Sequence, residues 1–238
     1  VIPAFNEAES LGRVLALLTA ALVAHGSYEI VVVDDGSTDD TFAVLRAAAA
    51  QNNAIRFVRL SRNFGHQAAL RAGLRNARGR FVISMDADFQ HPISMLPKMI
   101  DRARAGYEVV TTSRIYPPGT PLMKRVGSWS YYRILSWLSG TKIEPGSADF
   151  RLLHRKVVTV INELPEQELF FRTLVPWLGF HSTNISYVAD SRLQGHSKYT
   201  LRKMLSLALL GVVANSVMPL RMAIFMSVVL AGLTLCYI

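Results

Sequence analysis

Between residues 28 and 113 the chain alternates short, unbroken apolar runs with longer stretches of helical pattern. The runs at 29–33 (EIVVV), 55–60, 81–85 (FVISM) and 108–112 (EVVTT) are rich in Val and Ile. Runs of this kind suit strands covered on both faces, as in a parallel sheet. Helices are expected between them at 39–50, 67–78 and 94–105. An earlier helix at 8–24 follows an opening strand at Val1-Ile2, with Asn6 or Glu7 near its start. This order predicts a doubly wound, mostly parallel α/β sheet with right-handed crossovers, over residues 1–198.

Beyond that domain the pattern changes. From 191 to 238 there is no Asp or Glu, yet Arg192, Lys198, Arg202, Lys203 and Arg221 occur. Two uncharged runs, 204–220 and 222–238, are separated only by Arg221. Each is near the lower limit of roughly 17–25 residues for a spanning helix. Ser206, Asn215, Ser216 and Pro219 mark the first as interfacial. Residues 199–220 are therefore expected to form amphipathic juxtamembrane helices, and 221–238 to begin a transmembrane region. Both chain ends read as interior to a longer protein, and no secretory signal precedes the first strand. A helix is also expected at 121–139, its Trp129, Tyr131, Tyr132 and Trp137 serving equally well as core or as an interfacial belt.

Composition sharpens the membrane reading. Half of the 238 residues are hydrophobic and 18% are charged. The net charge of +9 favours anionic partners: phosphates, nucleotides or an acidic lipid surface. Because the basic residues gather beside apolar runs, without an RNA or DNA motif, a nucleic-acid partner is not expected. The single cysteine, Cys236, excludes an intrachain disulfide and fits a reducing compartment.

The chemistry lies where apolar strands stop at carboxylates, since open α/β sheets bind ligands outside the carboxyl ends of their strands. One strand runs into Asp34-Asp35-Gly36-Ser37 and another into Asp86-Ala87-Asp88. Two acids one residue apart face a single hard cation readily, with phosphates completing the coordination and Gln90 adding a neutral oxygen. Asp34, last in its strand, is placed to bond a ribose or base edge, whereas Ser37 to Asp39 read as turn and helix cap. No G-x-G-x-x-G follows the first strand and no G-x-x-x-x-G-K-[ST] occurs, which disfavours dinucleotide enzymes and P-loop NTPases. His25, His154 and His181 read as surface or loop residues, and His66 and His91 as neighbours of the site.

The motifs Val1-Ile2-Pro3-Ala4-Phe5-Asn6-Glu7, Val33-Asp34-Asp35-Gly36-Ser37, Ser61-Arg62-Asn63-Phe64-Gly65-His66-Gln67 and Asp86-Ala87-Asp88-Phe89-Gln90-His91-Pro92 together resemble family 2 glycosyltransferases. Within that family the resemblance is to the polyprenyl-phosphate branch. Gly146-Ser147-Ala148-Asp149-Phe150-Arg151-Leu152, Arg192 with Gly195-His196-Ser197-Lys198-Tyr199, and Pro219-Leu220-Arg221 extend it over nearly the whole chain. The resemblance implies a GT-A type fold. It implies a nucleotide-sugar donor held by Pro3, Phe5, Glu7, Asp34, Asp86, Ala87 and Asp88, with Mg²⁺ or Mn²⁺ and the diphosphate at Asp86, Asp88 and Gln90. Phe89, Ile93-Ser94 and Ala189 depart from the family pattern; Ala189 stands where many members carry a further basic residue.

A polyprenyl phosphate acceptor is already largely ionised at neutral pH, its second pKa being near 6. The demand is then for cations that hold two anions together, and Arg114, Arg125, Arg192 and Lys198 are the candidates, with Ser128 as a hydroxyl donor. Asp149, the usual base of the family, is expected mainly to orient, with proton removal secondary. The expected reaction is inverting transfer of a hexose, UDP-glucose first, at the cytoplasmic face of the inner membrane. GDP-mannose is the alternative donor, a catalytically silent membrane scaffold the alternative class, and the oligomeric state stays open, a homo-oligomer included. A processive polysaccharide synthase is disfavoured because no Q-x-x-R-W run occurs.

Overall fold

The computed structural model describes residues 1–115, 130, 133, 136, 144, 146–166, 169–188 and 218–237. Strand β1 (Ile2–Ala4), helix α1 (Ala8–Leu22), β2 (Ile30–Asp34), α2 (Thr41–Gln51), β3 (Ile55–Arg59), α3 (His66–Asn76), β4 (Phe81–Ser84), α4 (Met95–Arg104) and β5 (Val109–Ile115) alternate as the pattern predicts. A short 3₁₀ turn, Val23–His25, extends α1. β1, β2 and β3 are parallel neighbours in that order, in a register that aligns Ala4 with Asp34 and Asp34 with Arg59. Their carboxyl ends therefore finish level. All five β2 residues are buried, while β3, on the sheet edge, alternates with partly exposed positions because only one of its faces is covered.

Four strands make the second sheet, in the order β4-β6-β5-β7, with β6 (Ser147–His154) and β7 (Ser182–Val188). The Met85 N–H donates to the Val1 carbonyl (3.1 Å) and the Val1 nitrogen to the Ile83 carbonyl (2.7 Å). That spacing is a parallel pairing, so β4 carries the first sheet into the second and its carboxyl end joins the same edge. The sheet is mostly parallel, as expected; among the described strands β6 is the exception, antiparallel to both β4 and β5. It starts at the edge where β5 ends, Ser113 opposite Ser147.

Helices cover both faces. Leu11, Val14, Leu15 and Leu18 of α1, Leu45 of α2, and Met95, Leu96 and Met99 of α4 share one cluster with Ile2, Val32, Val110 and Leu152. Leu70 and Leu74 of α3 share the other with Val82, Val109, Leu153 and two further helices, α5 (Arg155–Glu163) and α6 (Phe171–Trp177). The adjacent residues Val109 and Val110, like Leu152 and Leu153, enter opposite clusters, as the period of two in a strand requires. Each such Val or Leu contributes about 1.5–3 kcal/mol by leaving water.

One further helix, α7 (Met218–Tyr237), falls on the second uncharged run. Its side chains from Ile224 to Leu235 are exposed, and that apolar stretch is shorter than the roughly 20 residues of a spanning helix. Among the described residues only Ala8–His25 is long and apolar enough to cross a membrane, and its Leu11, Val14, Leu15 and Leu18 belong to the core. The 204–217 part of the first run and the four aromatic side chains expected at 121–139 lie outside the described residues.

Candidate active site

The turn after β2 is built from its own acids. Asp34 is fully buried; Oδ1 accepts the Ser37 N–H at 2.9 Å, and Oδ2 lies 3.3 Å from Arg59 Nε. That Oδ2 has no hydrogen-bond partner among the described residues, a costly state for a buried oxygen unless a ligand supplies one. Asp35 accepts the Phe64 and Gly65 N–H groups at 2.8 and 2.9 Å, which fixes the 61–65 loop. Burial pushes its carboxyl above the ordinary range despite those bonds.

Gly36, at φ +68°, backs directly onto that loop, and a Cβ there would sit 2.4 Å from the Arg62 carbonyl carbon. Gly36→Ala is accordingly expected to lower stability by at least about 2 kcal/mol, from left-handed strain plus displaced backbone. A chemical-denaturation midpoint measures it. The start of α1 is held by the same turn: Asn6 N–H donates to Ser37 Oγ and Glu7 N–H to Thr41 Oγ1, at 3.0 and 2.9 Å.

At the end of β4, the Asp86 N–H donates to His91 Nδ1 (3.0 Å), so the ring proton is on Nε2, 3.7 Å from Asp86 Oδ2. His91 is buried and stacked on Phe150 at 4.8 Å, and burial lowers its pKa. It is a neutral prop that aims Asp86, whose side chain stays 35% exposed. Asp88 Oδ1 accepts the N–H of buried Gln90 at 3.1 Å. Between them Phe89 takes φ +61°, with the Arg13 guanidinium 5.5 Å from its ring centre.

Asp149, on β6, faces this edge because Ser84 Oγ donates to its carbonyl at 2.6 Å. Its carboxylate is 5% exposed yet gripped by two arginines. Arg151 Nη2 donates to Oδ1 at 2.5 Å; Arg172 Nε and Nη2 both donate to Oδ2, at 3.2 and 3.1 Å. Burial alone would raise this carboxyl, but Arg172, Arg151 and His66 hold it well below the usual range. His66, first in α3, bridges the two acids: Nε2 is 3.7 Å from Asp86 Oδ1 and 3.6 Å from Asp149 Oδ2.

Burial acts to lower the His66 pKa, but Asp149 and Asp86 outweigh it and the net shift is upward. The stability it contributes is therefore complete below its unfolded pKa near 6.5 and lost as pH rises through the higher native value. The thermal midpoint of metal-free protein is expected to fall across that window in wild type, and to fall less in His66→Asn.

Of the expected site residues, Asp34, Asp86, Asp88 and Asp149 stand along one edge. Ala87 and Gln90 are buried beside them, and Phe5 is 36% exposed just past β1. Pro3 lies within β1 opposite Val33, and Glu7 Oε2 accepts the Ser10 hydroxyl. Arg114, near the end of β5, donates its N–H to the Gly146 carbonyl, and its charge bears on His91 and Tyr187. Arg125, Ser128, Arg192 and Lys198 lie outside the described residues. Sequence reading did not single out Arg172, nor give His66 its place between two carboxylates. His154 caps α5, its Nδ1 accepting the Lys156 N–H, and His181 stacks on Tyr107 at 4.5 Å.

No three His, Cys, Asp or Glu side chains among the described residues converge as a self-sufficient metal centre. The family model "Glycosyl transferase family 2" matches residues 1–161. A bactoprenol glucosyl transferase of Shigella phage SfII is 34% identical over 239 residues, covering 100% of this chain and 77% of that protein. The prophage bactoprenol glucosyl transferase homolog of Escherichia coli K12 is 33% identical, covering 100% and 78%. Among solved structures, glucosyl-3-phosphoglycerate synthase of Mycobacterium tuberculosis in complex with Mn²⁺, UDP-glucose and phosphoglyceric acid superposes with a TM-score of 0.63. It is 20% identical, with 91% of this chain and 76% of that one covered. A GT-A-like sheet whose acid-tipped strands share one edge, and matches of this extent, have one reading: the chain belongs to glycosyl transferase family 2.

Proposed function

We propose that this chain transfers a hexose, from UDP-glucose first, to a polyprenyl phosphate of undecaprenyl type, with inversion. The observation that carries the reading is the junction at the sheet edge, where Asp86 and the doubly clamped Asp149 meet across His66. Acids for a bound diphosphate and cations for an incoming anion stand side by side there. The names of the phage and prophage relatives support the lipid acceptor and the glucosyl donor.

Asp86 and Asp88 fit a divalent ion. They offer hard carboxylate oxygens, one part-exposed, and too few ligands to close a shell. Mg²⁺ and Mn²⁺ sites that use one or two carboxylates leave the remaining positions to substrate phosphates and water. When bound, the ion supplies charge neutralisation for the departing diphosphate. Asp34 Oδ2 accepts from the nucleoside, and His91 holds Asp86 toward the diphosphate. An oxygen of the acceptor phosphate attacks the anomeric carbon from the face opposite the nucleotide. A carbon–oxygen bond to the lipid phosphate forms as that to the nucleoside diphosphate breaks, and the leaving group keeps the electron pair. No proton has to leave the ionised phosphate.

The basic 199–220 segment and the apolar 221–238 segment hold the domain at the cytoplasmic face of the inner membrane, beside its lipid substrate. A panel of radiolabelled nucleotide-sugars with undecaprenyl phosphate tests the proposal. Label is expected to enter the organic phase from UDP-glucose, and only with Mg²⁺ or Mn²⁺ present. Labelling from GDP-mannose alone reassigns the donor; absence of lipid labelling from every donor ends the reading.

A further inference from the structure

Resting on that reading, we propose that the Tyr187 hydroxyl is a substrate contact, donating to a phosphate oxygen beside Arg114. The strand that carries it gives the first observation. β7 is polar, and every one of its residues except Tyr187 is exposed or partly exposed, whereas Tyr187 is 5% exposed. Its ring meets those of Phe150 and His91 edge-on, with centres 6.0 and 6.3 Å away. Tyr187 thus completes the aromatic layer that holds His91 against the Asp86 backbone.

Second, this layer gives the hydroxyl nothing to donate to. Tyr187 Oη is buried and has no hydrogen-bond partner among the described residues. A buried phenol normally finds one, because an unmet donor keeps its full cost of leaving water. Arg114 stands level with Tyr187 in the β5–β7 register, and its charge acts on the phenol oxygen. It cannot relieve the hydrogen, since a guanidinium has donors and no acceptor. Burial pushes the phenol above its ordinary value and outweighs the Arg114 charge, so the proton stays on at neutral pH.

Third, the acceptor that this donor requires has a definite character. The charges of Asp86 and Asp88 extend to the phenol, which puts the hydroxyl on the flank of the proposed diphosphate site. An O–H beside a guanidinium directs two donors at one place, and an anionic oxygen accepts from both. A phosphate oxygen has that chemistry. Both substrates carry one, the nucleotide-sugar in its diphosphate and the lipid in its monoester.

The test is Tyr187→Phe in the full chain, which removes one oxygen and leaves the ring. The thermal midpoint is expected to hold or rise, because a hydroxyl that bonds nothing in the free chain stabilises nothing there. Calorimetric titration with UDP and Mn²⁺, and then of the UDP-loaded protein with a water-soluble short-chain prenyl phosphate, separates the two phosphates. One of them is expected to bind at least about tenfold more weakly while the other stays within about twofold. Loss of UDP assigns the hydroxyl to the departing diphosphate; loss of prenyl phosphate assigns it to the incoming one. A variant that binds both within about twofold of wild type overturns the inference. So does a parallel loss of both, or a fall in the midpoint, since the hydroxyl then has a structural partner within the chain. Wild-type protein that binds neither ligand overturns the proposed function, and the inference with it.

Discussion

Replacing Asp86 or Asp88 by Ala is expected to cut hexose transfer about a thousandfold, since neutralising a leaving diphosphate is worth several kcal/mol and each 1.36 kcal/mol is about tenfold in rate. Stability should barely change. Asp86 is 35% exposed and its histidine neighbours stand 3.7 Å away, so its removal strands no buried charge. The paired measurement is label transferred to lipid and the thermal midpoint of the same preparation. A variant that transfers at more than about a tenth of the wild-type rate contradicts the role assigned to these acids. So does a midpoint that collapses with the activity, because the loss would then belong to folding.

These acids were legible in the sequence for a plain reason. EIVVV and FVISM suit strands covered on both faces, and a carboxylate that ends such a run emerges at the sheet edge. The same logic fails for β6. Its SADFRLLH carries Asp149 and Arg151 into a strand with six consecutive buried positions, and two charges there break any apolar pattern. They are tolerated because they neutralise each other at 2.5 Å, a pairing between positions i and i+2 that hydropathy does not register. Arg172 was harder still. Its partner is 23 residues away, and its helix is only seven residues long with a proline inside. β7 was missed for the opposite reason: STNISYV is a polar, largely exposed strand lying parallel to β5 at the sheet edge. His91 sat visibly beside Asp86-Ala87-Asp88, but its work, a neutral ring stacked on Phe150, depends on a residue from another strand.

Asp149→Asn separates two meanings of the doubly clamped acid in the site. The substitution keeps the shape but removes the charge that balances Arg151, which is 2% exposed, and breaking a buried pair in this way costs about 3–5 kcal/mol. For a chain of this size that is a fall of roughly 6–20 °C in the thermal midpoint. The pH dependence has a fixed sign. A carboxyl held below its ordinary value of 3.8 contributes stability that is complete above that value and lost as pH falls through the native one. Wild type should therefore lose stability steeply only in strong acid, and the variant should lose that part of the slope. Catalysis divides the two roles more sharply. A general base supplies about 10²–10⁴ in rate, but a carboxylate fixed between two guanidiniums is a poor proton acceptor at neutral pH. At saturating lipid phosphate and a temperature where the variant is folded, turnover is expected within about tenfold of wild type, with the defect in acceptor KM. A larger fall in kcat at unchanged acceptor KM would make Asp149 the base after all, and Arg172 its tuner.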